Sequence, residues 1–322
     1  WIGSVTILMY TVFGGMWAVA ITDLLQMVII VIGMLFIGNE ISGMVGGVGV
    51  VVEHARQAGK LEFWPALDLQ AILAFTAAWI TMMFGSIPQQ DVFQRVQSSK
   101  TIKIAVWGSV CGGVLYFLFA FVPMFLAYSA TLLDPKMVAG LIDTDSQLIL
   151  PTLVLQHAPL VAQIFFFGAL LSAIKSCASA TLLAPSVTFT ENILRPLIPH
   201  MSDKKLLRLM RIVTLIFTIL VTIYAMYSKA SIFKMVENAY QITLVVAFIP
   251  LVFGLYWKRA TNQGALWAMA AGVTVWLSLL LFGPDEPFVP AQLAGVIAAL
   301  VAMIVGSLMS PVAKATPKHQ AA

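Results

Sequence analysis

Three short stretches place side chains capable of chemistry inside otherwise apolar runs. The first is GSIPQQDVFQRVQSSK (85–100). Pro88 has no N–H to give and its ring clashes with the preceding turn, while Gly85 loosens the helix before it. A break of this kind near mid-membrane frees backbone amides and carbonyls that can hold a solute or an ion; the alternative is a simple kink. Ser86, Gln89 and Gln90 add hydrogen-bonding groups there and Asp91 adds a charge. The second stretch is SAIKSCASATLLAPS (172–186), where Ser172, Ser176, Ser179 and Thr181 alternate with small residues. Such a pattern suits close helix packing, with hydroxyls bonded to carbonyls of their own helix. Lys175 does not fit that reading. An ionisable group deep in an apolar segment is costly, so it marks a structural ion pair, a transport role or helix ends that lie elsewhere than the apolar run suggests. The third stretch carries Glu237, Asn238, Tyr240, Gln241 and Thr243. Glu237 and Gln241 share one helical face at i, i+4 and either line a cavity or mark the membrane edge.

Other chemistries lack their residues. There is no GxxxxGK[ST], HExxH, CxxC or GxSxG in the chain, which argues against an ATP-driven pump or a hydrolase. The four histidines, His54, His157, His200 and His319, fall in loops or the tail and form no metal-ligand spacing. No catalytic residues, no cofactor and no metal other than a coupling ion are expected.

The elements that must position these groups are membrane helices. Of the 322 residues, 60% are hydrophobic and 10% charged, and the mean hydropathy is +0.95. A soluble domain has about 25% charged residues, so this composition excludes a soluble enzyme. Two cysteines, Cys111 and Cys177, do not make a disulfide scaffold. Eight segments are long and apolar enough to span: 18–46, 69–90, 103–128, 159–190, 207–228, 235–257, 263–282 and 289–310. A partial ninth covers 1–13, separated from the next by a short turn expected near Gly14 and Gly15. None alternates like a membrane strand, so the fold class is an all-α polytopic helical bundle. Trp1 opens inside an apolar run with no charged leader or cleavage pattern, so the chain is expected to start within a longer protein.

Loop cations set the orientation. Alternate connections gather Arg95, Lys100, Lys103, Arg195, Lys204, Lys205, Arg208, Arg211, Lys258, Arg259, Lys314 and Lys318 on one side, twelve of the 18 Lys and Arg. That side is expected to be cytoplasmic, with the tail 311–322. The protein is then a multi-pass protein of the plasma (inner) membrane whose surroundings are the lipid bilayer. The cations are spread over four loops and not gathered on one face, so no nucleic-acid partner is expected.

Four stretches in order resemble the sodium:solute symporter family, closest to its choline-, proline- and pantothenate-type bacterial members. They are YTVFGGMWAVAITDLLQ (10–26), Ile-Pro-x-Gln…Gln-Arg-Val…Ser-Ser-Lys (87–100), Ala-Ile-x-Ser…Leu-Leu-Ala-x-Ser…Thr-Glu-Asn (173–192) and FGLYWKRATNQGALWAMAAG (253–272). The resemblance implies a leucine-transporter-like fold of two inverted five-helix repeats, present here in part. The chain would then be a single transporter domain over 1–322 that starts near the fourth core helix. It would hold the second repeat (about 69–257) and two further helices, with the first core helices missing. The family's sodium site would fall on the carbonyl of Ala173 and the side chains of Ser176 and Cys177. Members with a working site usually carry Ser or Thr where this chain has Cys177, and an apolar residue where it has Lys175. Lys175 is therefore the coupling candidate of a second reading, a sodium-independent or proton-coupled transporter. The solute path would be lined by Gly85, Ser86, Pro88, Gln89, Gln90, Asn238, Gln241 and Thr243. Its glutamines suit a small polar solute such as an amino acid or carboxylate.

The leading expectation is therefore cation-coupled symport, with sodium favoured, by alternating access. The competing class is a membrane sensor domain of a signalling protein. That reading calls for a long soluble extension after the last helix, where only about a dozen residues follow Met309.

Overall fold

The computed structural model describes residues 2–198, 201–228, 230–284 and 287–310, with backbone alone at residue 10 and residues 13–18. The tail 311–322, together with Lys229, His200, Asp285 and Glu286, lies outside the described residues, and no strand occurs among them. The helices in chain order are α1 (Ile2–Val45), α2 (Val48–Gln57), α3 (Leu69–Gly85), α4 (Gln90–Gln97), α5 (Ile102–Phe119) and α6 (Phe121–Leu133). They continue with α7 (Pro135–Leu141), α8 (Ile149–His157), α9 (Leu160–Phe189) and the short α10 (Arg195–Leu197). The remainder are α11 (Asp203–Tyr227), α12 (Ile232–Thr243), α13 (Ile249–Tyr256), α14 (Asn262–Phe282) and α15 (Ala291–Met309). Among the described residues, seven helical runs are long and apolar enough to cross a membrane, and α3 with α4 would make an eighth if counted as one interrupted span.

Sequence and structure differ at several points: His54 and His157, expected in loops, lie in α2 and α8, and three further differences have a physical reason. No turn interrupts α1 at Gly14–Gly15: the helix is continuous for 44 residues. Two helical glycines cost roughly 1 kcal/mol each. Each residue kept helical adds a backbone hydrogen bond that offsets this cost, so the helix persists through the pair. The run expected over 103–128 is two helices meeting at Ala120. Pro123 has no N–H for the carbonyl of Phe119, four residues back, so the first helix ends there. Third, π turns occupy Thr190–Leu194 and Leu244–Phe248. Each stands just before a proline, Pro196 or Pro250, whose ring crowds the carbonyl four residues back.

The described residues pack as two compact units. The first takes the chain to Glu62 and then Gln90–Ser231, and so holds α1, α2 and α4–α11. Its core joins Ile37 and Ile41 of α1, Leu126 and Ala130 of α6, Leu153 of α8, and Ala162 and Phe166 of α9. Gly33 lets α1 approach α9: a Cβ there would lie 3.0 Å from the carbonyl oxygen of Phe165. The second unit takes Phe63–Gln89 and the chain from Ile232, holding α3 and α12–α15. Its core is Ile249, Ala268, Ala299 and Met303. Thr261 opens α14 by accepting the amide of Gly264 at 3.1 Å, a local cap that fixes where the helix starts.

Candidate functional site

In the first unit, packing of α1 on α9 brings Asp23 against Ser176. The Ser176 hydroxyl donates to Asp23 Oδ1 at 2.6 Å. Arg95, on α4, donates from Nη2 to Asp23 Oδ2 at 2.7 Å. Asp91, one turn earlier on α4, lies 3.8 Å from Arg95 Nη1. The Asp23 side chain is 19% exposed and that of Arg95 is 48% exposed. A carboxylate so covered needs partners for its charge, and each of its oxygens has one. Beside this cluster lies a cavity of about 670 Å³ whose polar lining includes Asp23, Asp91, Gln94, Arg95, Ser98 and Ser176.

The hydroxyls of α9 divide into two kinds. Ser179 donates to the carbonyl of Ser176 at 3.0 Å and Thr181 to that of Cys177 at 2.8 Å. These two follow the packing pattern expected of a small-residue stripe. Ser176 is different, because its hydroxyl leaves its own helix for a carboxylate on another. Of the other residues expected at the sodium site, Ala173 is half-buried and Cys177 is exposed. Lys175 is half-buried on the same helix. Among the described residues no group of His, Cys, Asp and Glu is arranged to hold a metal ion through three or more of them.

In the second unit, the break after α3 is held by neutral groups. Thr243 of α12 donates to the carbonyl of Gly85 at 2.6 Å. Gln89 Nε2 reaches the same carbonyl and the Thr243 hydroxyl, each at 3.3 Å. Gly85 is required: a Cβ there would collide with the carbonyl oxygen of Tyr240. Beside it, Phe84 and Phe248 stack with ring centroids 4.6 Å apart. Gln241 is buried and donates to Glu237 at 3.3 Å, the contact expected from their spacing, and Glu237 also takes Lys234 at 2.8 Å. Ser86 bonds back to the carbonyl of Met83 at 3.0 Å, while Pro88 is half-buried between these groups in sequence. Asn238 is exposed, and Gln90 is exposed at the start of α4 in the first unit. Of the expected solute path, the structure thus joins Gly85, Gln89 and Thr243.

The sequence profile of the sodium:solute symporter family matches residues 1–272. The chain belongs to the sodium:solute symporter family. Among similar members, a sodium/proline symporter of Haemophilus influenzae is 29% identical over 96% of this chain and 63% of its own length. A high-affinity choline transporter of Caenorhabditis elegans is 31% identical over 87% of this chain and 49% of its own. A sodium/pantothenate symporter of Escherichia coli is 27% identical over 92% and 62%. This symporter-family chain therefore spans half to just under two-thirds of the length of these relatives. A solved Na+-coupled sialic acid symporter, substrate-bound and outward-open, matches with a TM-score of 0.77 over 97% of this chain and 66% of that one. At 21% identity that likeness is one of fold, and it is the leucine-transporter-like helical fold expected from the sequence.

Two members of the first cluster, Asp23 and Arg95, were not expected as site residues. Both stand inside stretches that carry the family resemblance, Thr-Asp-x-x-Gln and Gln-Arg-Val. The available signal was the charge itself: an acid within an apolar span calls for a partner.

Proposed function

We propose that the protein is a secondary transporter that couples entry of a cation, sodium in the first place, to movement of a small polar organic solute by alternating access in the plasma membrane. The observation that carries this reading is the Ser176–Asp23 contact. A hard cation favours oxygen ligands, and a carboxylate supplies the matching charge. A serine hydroxyl that donates its proton to a carboxylate keeps its lone pairs available to a cation. The carbonyl of Ala173, one turn earlier on α9, is the third oxygen of the proposed set. Cys177 would be its weak member, because a thiol is a poor partner for sodium. The bias of loop cations supports a cytoplasmic C-terminus.

For the solute, Gln89, Thr243 and Gln241 offer hydrogen bonds and no ring of aromatic faces. They suit an amino acid or carboxylate better than a quaternary ammonium. Proline, named for one relative, is the first solute to try. A second reading, in which Lys175 replaces the cation or exchanges protons, is favoured by its place directly before Ser176. The test is uptake of labelled proline, with pantothenate as a second solute, by the full-length protein in proteoliposomes. An inward sodium gradient should drive it, and Cys177→Ser should lower the sodium concentration needed. Uptake indifferent to sodium overturns the sodium reading; sodium dependence unchanged in Lys175→Met removes the lysine reading.

A further inference from the structure

We infer that Arg95 is a built-in competitor for the cation at Asp23, a guanidinium with two seats whose exchange reports cation occupancy to α4. This rests on the reading of Asp23 and Ser176 as cation ligands, and adds a role for Arg95 and Asp91. Asp23 Oδ2 takes Arg95 at 2.7 Å, while Oδ1 takes Ser176 at 2.6 Å. A cation drawn to this carboxylate meets a positive charge already bonded to it, and the two repel at short range. Arg95 has somewhere to go. Asp91 stands one turn earlier on the same helix, with its Oδ2 3.8 Å from Arg95 Nη1, longer than a hydrogen bond and short enough for a rotamer change to close. The guanidinium is 48% exposed, so moving it does not require unpacking the core.

The charges favour the exchange. Asp23, Arg95 and Asp91 together carry one net negative charge, which a monovalent cation neutralises. With the cation on Asp23 and Ser176, and Arg95 on Asp91, every charge in the cluster keeps an opposite partner. The consequence is mechanical. Among the described residues, Arg95–Asp23 is the ion pair that ties α4 to α1. Its exchange for a pair internal to α4 frees that helix, which follows Gln89 with no residue between. A fixed structural ion pair would hold α4 in either condition.

The test is equilibrium binding of radioactive sodium, with no solute, to the purified full-length protein. Arg95→Gln removes the competitor and should lower half-saturating sodium about two- to fivefold, the range of a partly exposed ion pair. Asp91→Asn removes the second seat and should raise it by a similar factor. Arg95→Lys keeps a charge that cannot bridge as the planar fork does, and should fall between wild type and Arg95→Gln. Weaker or unchanged binding in Arg95→Gln overturns the proposal. Should Arg95→Gln not fold, unchanged binding in Asp91→Asn overturns it. Sodium binding that survives intact in Asp23→Asn would instead defeat the cation reading on which the proposal rests, and so would no binding by the wild type.

Discussion

The two polar sites solve opposite problems. In the first unit, a charge is set among apolar helices, and both of its oxygens are answered by a hydroxyl and a guanidinium from elsewhere in the chain. In the second, a helix is interrupted, and the carbonyl exposed by the break is answered by neutral groups, Thr243 and Gln89. A charged site responds to ions and to loss of charge. A neutral one responds to shape and to loss of single hydrogen bonds. Under the proposed function the cation takes the charged site and the solute's hydrogen bonds the neutral one, so Asp23→Asn and Thr243→Val should each affect one function and spare the other.

The largest effect is expected from Asp23→Asn. It keeps an acceptor for Ser176 but removes the charge, and sodium-driven uptake should fall by about two orders of magnitude. Uptake near the wild-type rate would show that the carboxylate is structural. Next is Gly85→Ala. Its new methyl meets the Tyr240 carbonyl, so the second unit should lose roughly 1–3 kcal/mol, read as an earlier thermal transition in detergent. Gly254→Ala is the control, because a Cβ there meets nothing within 4 Å. Equal shifts in the two variants would contradict the close approach at the break. A smaller effect follows from Thr243→Val, which removes the donor to Gly85. About 1 kcal/mol is at stake, and half-saturating solute should rise about fivefold while half-saturating sodium stays put.

The smallest effect lies away from both sites. The guanidinium of Arg56, with help from Gln57, holds the Glu53 carboxyl below its ordinary range. A depressed acid stabilises the fold above its ordinary pKa, and that contribution is lost as the pH falls through the lowered value. The Glu53 side chain is 46% exposed, and water and salt screen the pair there, so Glu53→Gln should leave the neutral-pH thermal transition unmoved. A clear shift would show that α2 carries more of the fold than its surface position suggests.

Much of this architecture was legible in the sequence, because apolar length alone identifies a membrane helix. The segment read as 263–282 is α14, Asn262–Phe282, bounded by the Thr261 cap. The break at Gly85–Gln89 and the Glu237–Gln241 pair were equally visible, since both depend on neighbours within a few residues. The helix through Gly14–Gly15 was not, because glycine permits a turn without requiring one. Nor was the cluster at Asp23. Its partners stand 72 and 153 positions away, and nothing local distinguishes Ser176 from Ser179 until α1 is laid against α9. Cys177 and Ala173 share the helix with Ser176, but only Ser176 among them sends its side chain to a carboxylate.

The most direct test of the division between the sites is the sodium-binding isotherm of the purified full-length protein, measured side by side for wild type, Asp23→Asn and Thr243→Val. Asp23→Asn should abolish saturable binding, and Thr243→Val should superimpose on wild type. Binding retained in Asp23→Asn, or lost equally in both variants, would contradict that division.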